Sequence, residues 1–282
     1  MLCHSAGFVY DTSSPLLKKW SKSQGRTAHT FSGSMDGYTH PLIYQPGTSW
    51  AYGAGLDWAG RLIERVTNST LEEYMRANIW SKLGATSTTF HPELHCDTLP
   101  PQMGMAYRVS VGQGAKSVKP PAFGRRLGGI GLWSTPMDFT KLLAALLKGG
   151  QPLLTAASVD ILFKPQLSDE SRAAMPKPLG GQMRRVLGIR GLDDIKQADH
   201  CLAGTITLKD IPDRRRSGTV NWSGLPNLHW WIDQKTGIAA TLFTQLMPPG
   251  DAAVTGLLIE LEKALYKALS RNSGHFNSNV KL

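Results

Sequence analysis

The chain has 282 residues, 41% of them hydrophobic and 18% charged, a balance that fits a soluble globular protein and excludes a disordered or fibrous one. No long apolar run occurs, so no transmembrane helix is expected. The formal charge of +10 is dispersed; its densest run, Arg214-Arg215-Arg216, stands near Asp210 and Asp213 without a basic, aromatic-rich helix, so nucleic acid is not expected as a partner.

Met1-Leu2-Cys3-His4-Ser5-Ala6-Gly7 has no basic segment followed by an apolar one, which argues against a secretory leader. The three cysteines, Cys3, Cys96 and Cys201, are odd in number and far apart. A disulfide framework is not expected, and the reading is a cytoplasmic protein in a reducing compartment.

Residues 8–50 are rich in Ser, Thr, Gly and Pro and read as irregular chain with short helical pieces. Leu56, Ala59, Leu62, Ile63 and Val66 recur at helical spacing, and that helix stops near Asn68. Ser69-Thr70-Leu71-Glu72 offers a capping box, Ser69 with Glu72, opening a helix with Leu71, Tyr74, Met75 and Ile79 as its apolar stripe. Residues 92–119 read as a long loop holding one hairpin. Ser134-Thr135-Pro136 provides a cap and a first-turn proline for a helix through Leu147, and Leu153–Phe163 reads as a further short helix. After Cys201 the period changes: 203–208, 218–223, 227–233 and 238–246 read as an antiparallel meander with turns at 224–226 and 233–237. A final helix over 252–270 carries Val254, Leu257, Leu258, Leu261, Ala264, Leu265 and Leu269, the face expected to lie on the sheet. The apolar strand 238–246 is expected at a sheet edge, where it is an association hazard. The last dozen residues are polar.

Three separated motifs, in order, decide the reading: Tyr52-Gly53-Ala54-Gly55 at a loop-to-helix junction, where an aromatic beside Trp50 is by itself more often core, Gly128-Gly129-Ile130-Gly131-Leu132-Trp133-Ser134-Thr135 ahead of a helix, and Val220-Asn221-Trp222-Ser223-Gly224 in a strand followed by His229-Trp230-Trp231-Ile232-Asp233. The glycine run lacks the Lys-Ser/Thr that a P-loop requires. His91-Pro92-Glu93-Leu94-His95, with Cys96 and Asp97, has no recognised metal-ligand spacing, and neither a metal nor a cofactor is expected.

Together the motifs resemble the serine β-lactamase/penicillin-binding-protein superfamily, in particular its fungal transesterase and acyltransferase branch of the lovastatin-side-chain type and the family VIII esterases. Leu2–Phe8 resembles the family's LLxHTSG loop, Pro46–Gly53 its PG..W.Y element, Gly128–Thr135 its GGxGLxST run, and Trp222-Ser223-Gly224 stands where penicillin-recognising members have Lys-Thr-Gly. The resemblance runs from residue 2 to about 250. It implies an α/β (α+β) fold of the β-lactamase/transpeptidase type, an antiparallel sheet flanked by helices plus a helical lobe, filling residues 1–282 as one domain. In that reading 1–135 forms the mainly helical and loop lobe with Tyr52, 136–270 the remaining helices and strands, and 271–282 a tail.

The resemblance further implies that a serine from a Ser-x-x-Lys helix attacks an ester, thioester or amide carbonyl and that an alcohol or water takes the acyl group. Tyr52 is then the catalytic proton shuttle. Trp222, Ser223, Gly224, Leu225 and Trp230 form the oxyanion and substrate-binding set, with the Leu225 N–H as an oxyanion donor and Trp231 beside the apolar pocket. Ser-x-x-Lys occurs in these residues only at Ser278-Asn279-Val280-Lys281, in the polar tail, and is rejected there as the nucleophile. The family's nucleophile segment lies upstream of the LLxHTSG loop, so the expectation is an N-terminally shortened chain. The implied function is acyl transfer to or ester cleavage of a small, polyketide-type secondary metabolite, in incomplete form. The implied partners are a small-molecule acyl donor and acceptor, with an acyl carrier or polyketide synthase as a further candidate and no membrane. The alternative is a non-acylating relative that binds a hydrophobic metabolite or a synthase.

Overall fold

Ser14 and Pro15 start the first helix, α1 (Pro15–Ser23): the Ser14 hydroxyl accepts the Leu17 N–H and proline occupies a position whose N–H would be unpaired anyway. The structure, a computed structural model, describes residues 1–282 apart from 33, 96, 111, 120–127, 176–184, 187–196 and 277–282. Cys96 and the second half of the polar tail, with Ser278 and Lys281, therefore lie outside the described residues.

Helix α2 (Gly55–Thr67) ends where Asn68 turns left-handed at φ 53°, as the periodicity predicts. Its inward face differs from the expectation. Leu62 and Val66 are exposed, while Gly55, Asp57 and Gly60 are buried. The reason is a close backbone crossing: a Cβ on Gly60 would stand 3.0 Å from the Gly128 nitrogen, so this face admits small residues and no leucine. The capping box is also displaced by one residue. Thr70, with Glu73 three residues on, caps α3 (Leu71–Met75), which continues through one π turn (Arg76–Trp80) into α4 (Ser81–Leu83).

The long loop holds the expected hairpin, β1 (Met105–Tyr107) and β2 (Lys116–Val118), antiparallel. Thr135 caps α5 (Pro136–Leu147) through the Asp138 N–H, again with proline in the first turn. The next helix, α6 (Ala156–Leu162), begins later than expected because Thr155 is its cap. A short α7 (Asp169–Ala174) follows, capped by Ser168.

The expected meander is part of a five-stranded antiparallel sheet in chain order: β3 (Ala198–His200), β4 (Thr205–Thr207), β5 (Val220–Gly224), β6 (Leu228–Asp233) and β7 (Ile238–Leu242). Two corrections follow. Strand β3 was not anticipated. The expected strand 238–246 stops at Leu242, and β8 (Leu246–Met247) leaves to pair in parallel with β1 in a second, three-stranded sheet. Strand β7 is the edge of the described sheet, yet α5 packs along it and its residues are half-buried.

Helix α8 (Ala252–Phe276) is capped by Asp251, whose Oδ1 accepts the Ala253 and Val254 N–H groups at 3.0 Å each. Its buried line is Val254, Leu258, Glu262 and Tyr266 at i, i+4 spacing, with Thr255 buried beside Val254, whereas Leu257 and Leu269 are exposed. Thr255, Glu262 and Tyr266 bring polar groups to that inward side, which a hydrophobic-stripe reading passes over.

Candidate active site

Four segments converge on Tyr52. The N-terminal loop supplies His4, the turn into α2 supplies Tyr52 and Gly53, β3 supplies His200 and β5 supplies Trp222. His4 adopts a left-handed φ of 58°. Its carbonyl accepts the Ala51 N–H at 3.1 Å and the Tyr44 hydroxyl at 3.0 Å, and its Nδ1 accepts the Gly53 N–H at 3.3 Å. The approach is close enough that a Cβ on Gly53 would stand 1.9 Å from the Phe8 carbonyl oxygen, which is why this position needs glycine.

The rings form one cluster. Tyr52 lies 4.7 Å from His4 and 5.7 Å from Trp222, Trp222 stacks on His4 at 5.9 Å, and His200 lies 5.3 Å from His4 and 5.4 Å from Trp222, all between centroids. Trp50 closes the back, packed with Cys3, Leu167, Met175, Ala198 and Ile211.

Burial sets the protonation of the cluster. It pushes His4 down to about 3, reinforced by His200, and His200 down to about 4. Both imidazoles are neutral near pH 7. His200 Nδ1 sits 2.7 Å from the Cys201 carbonyl and so carries the hydrogen; its Nε2 has no hydrogen-bond partner among the described residues. The Tyr52 phenol is pushed up to about 12, by burial and then by the Asp57 charge, against a hydrogen bond from Tyr10 that lowers it. At neutral pH it is a proton donor.

Behind Tyr52, the Tyr10 hydroxyl donates to Asp57 Oδ2 at 3.0 Å, and Asp57 Oδ1 accepts the Gly129 N–H at 2.9 Å. This explains the glycine run that the sequence left without a role. A Cβ on Gly129 would stand 2.8 Å from Asp57 Oδ2, and one on Gly128 would stand 2.2 Å from the Leu56 carbonyl. Two motifs 72 residues apart thus meet through one buried carboxylate at the start of α2.

Not every anticipated residue reaches Tyr52. Trp222 does. Trp230 pairs across the strands with Trp222 but rests its ring on Phe139, 6.1 Å away, within the apolar core. Trp231 is fully buried on the opposite face of β6, because neighbouring strand residues alternate sides. Ser223 likewise faces away from Trp222, and its hydroxyl donates to the Val186 carbonyl. Gly224 closes the β5–β6 pairing opposite Leu228, and Leu225 follows it in an exposed turn. The sequence reading missed Tyr10, Asp57 and His200 and gave His4 no role. His4 lay inside a quoted motif; Tyr10 and His200 carry no local signal. Among the described residues no three His, Cys, Asp or Glu side chains gather as a metal site, and no helix is long and apolar enough to cross a membrane.

A beta-lactamase family model matches residues 1–264. The chain belongs to the beta-lactamase family.

Within that family it is 34% identical to a lovastatin esterase of Penicillium rubens over 89% of this chain and 64% of the relative. It is also 34% identical to a monacolin J acid methylbutanoyltransferase of Aspergillus terreus, over 94% of this chain and 66% of the relative. The chain thus spans just under two thirds of the length of these curated relatives. A variant of simvastatin synthase from Aspergillus terreus superposes with a TM-score of 0.82 at 31% identity, covering 96% of this chain and 68% of that one. The same architecture extends to a penicillin-binding protein of Bacillus halodurans at a TM-score of 0.59 and 16% identity, a likeness of fold alone. The β-lactamase/transpeptidase-like fold expected from the motifs is therefore the fold of this chain.

Proposed function

We propose that this chain contributes the proton-shuttle and acyl-pocket half of a serine acyl-transfer site that works on small polyketide-type esters. The observation that carries the reading is the meeting of Tyr52, from the PG..W.Y element, with Trp222, from the Trp-Ser-Gly strand, at 5.7 Å. Relatives named for lovastatin ester cleavage and monacolin J acylation support the substrate class.

In this reading a serine oxygen attacks the ester carbonyl, and its proton passes to the basic group beside it. The alkoxide leaving group takes the Tyr52 proton, and an incoming alcohol or water reverses the sequence. A phenol held near a pKa of about 12 stays protonated until an alkoxide forms beside it, so it donates at the right moment. The neutral rings of His4 and His200 and the indole of Trp222 form an apolar wall that excludes water from the acyl group. The nucleophile is the Ser of a Ser-x-x-Lys helix placed, as the family resemblance implies, upstream of Leu2. The donor and acceptor are small molecules. A carrier or synthase partner fits the charge of +10, and the site of action is the cytoplasm.

The test is complementation. The 282-residue chain is mixed with a separately made Ser-x-x-Lys segment of the Penicillium relative, and hydrolysis of a p-nitrophenyl ester with a branched acyl chain is followed. Turnover is expected with the mixture, with an about 10²-fold loss for Tyr52→Phe. An adduct on a serine of this chain alone, or full turnover with Tyr52→Phe, rejects the reading. Tight binding of the ester without turnover in the mixture favours the non-acylating alternative.

A further inference from the structure

Tyr10 is placed to give its hydrogen to either of two groups. Its hydroxyl donates to Asp57 Oδ2 at 3.0 Å, and its ring stands edge to face with that of Tyr52 at 5.4 Å between centroids, where it draws the Tyr52 phenol down. A phenol has one proton, so it serves one of these acceptors at a time.

We propose that Tyr10 is a two-position donor for the proton shuttle: its hydroxyl rests on Asp57 while Tyr52 is protonated and turns to the Tyr52 oxygen when Tyr52 is ionised. In this role Tyr10 and Asp57 are positioning residues. The idea rests on the reading of Tyr52 as the shuttle.

The chemistry balances without a further group. The Tyr52 O–H bond breaks as its proton joins the departing alkoxide, leaving a phenolate. Tyr10 keeps its own proton throughout and exchanges one anionic acceptor for another. Asp57 loses one donor but retains the Gly129 N–H at 2.9 Å and its place in the first turn of α2, where the helix end favours negative charge. When Tyr52 is reprotonated, the hydroxyl returns. The Asp57 carboxylate is fully buried, so its pull on that hydrogen is weakly screened and the resting position is well defined.

The surroundings leave this pair in control. His4, 4.7 Å from Tyr52, is uncharged above a pH of about 3. Tyr38, 6.2 Å from Tyr10, is held protonated by burial and by Asp57 and Asp11. Tyr10 itself is raised far above an ordinary phenol by burial, with Tyr52 and Asp57 adding to it, so it remains a donor at any working pH. Gly129 fits the same account, since any side chain there would enter the space of the Asp57 carboxylate.

The experiment reads Tyr52 directly in the whole chain. Fluorotyrosine, which titrates at lower pH than tyrosine, is incorporated throughout. The Tyr52 resonance is assigned by its loss in Tyr52→Phe, and its titration midpoint is followed by fluorine NMR. Tyr10→Phe removes the donor that stabilises the phenolate, so the midpoint is expected to rise, by about one pH unit. Asp57→Asn removes the competing anion, so the midpoint is expected to fall by a similar amount. Opposite signs are the signature. A purely structural role would admit water in both variants and lower both midpoints, which overturns the proposal. An unmoved midpoint in Tyr10→Phe also overturns it, and that isosteric variant decides alone if Asp57→Asn fails to fold. The measurement involves no turnover, so its failure leaves the acyl-transfer reading standing, and failed complementation leaves this result intact.

Discussion

The two faces of the five-stranded sheet are buried by different means. Towards α5 and α6 the sheet presents Ile206, Val220, Ile232, Ala239 and Trp230, packed on Leu143, Val159, Phe163 and Phe139. Towards α8, β6 presents His229, Trp231 and Asp233. There the Asp233 carboxylate accepts the Tyr266 hydroxyl at 2.8 Å and the Arg216 N–H at 3.0 Å. Glu262 of α8 takes Arg214 Nε at 2.6 Å and Arg215 Nε at 3.0 Å, and Arg215 lies over the Trp231 ring at 5.3 Å. One face is held by dispersion and water exclusion, which tolerate small changes. The other is held by charges that have left water and depend on each partner.

Removing the anion is the strongest way to break the polar face. Glu262→Ala leaves the buried guanidinium groups of Arg214 and Arg215 without their carboxylate, and a loss of about 3–5 kcal/mol is expected in chemical denaturation. The second test is pH. Burial, reinforced by Arg215, holds His229 at about 4 in the folded chain, below the ordinary value of about 6.5. The unfolded chain therefore binds a proton that the native one refuses. Stability from this group is complete above about pH 6.5, falls as pH drops towards 4, and changes no further below that, with about 2 kcal/mol lost between pH 7 and pH 5. His4 and His200 slope the same way, so the polar-face share is the part that His229→Phe flattens in a denaturation series against pH. The smallest expected effect is on the apolar face. Ile232→Val removes one methyl from a fully buried site and should cost about 0.5–1.5 kcal/mol, with no dependence on pH in the same series.

The same contrast explains what could be read in advance. Helix α5 follows from Thr135, Pro136 and an apolar series, and the hairpin of β5 and β6 from β-branched and aromatic runs around a Gly-Leu-Pro turn, because caps, turns and period are local properties. The run Arg214-Arg215-Arg216 reads as a basic cluster, yet two of its members are buried against Glu262, 47 and 48 residues on, a pairing no local pattern announces. The site divides in the same way. Tyr52 and Trp222 were visible because each sits in a short motif. Tyr10, Asp57 and His200 were not, since a lone tyrosine, a helical aspartate and a strand histidine are common in roles unrelated to catalysis.

By itself the sequence determined the family, the antiparallel meander, most helix starts and the two motif residues that meet at the site, all of which rest on spacing along the chain. Only the tertiary structure decided which face of α2 is buried, that the Trp230 ring rests on Phe139 and that Trp231 lies on the opposite face of β6. It also decided that Gly129 admits the Asp57 carboxylate behind Tyr10 and Tyr52, while Gly128 lies against the Leu56 backbone. Those outcomes depend on which backbone passes within about 3 Å of which other, and such close approaches are set by the packing of segments far apart in sequence.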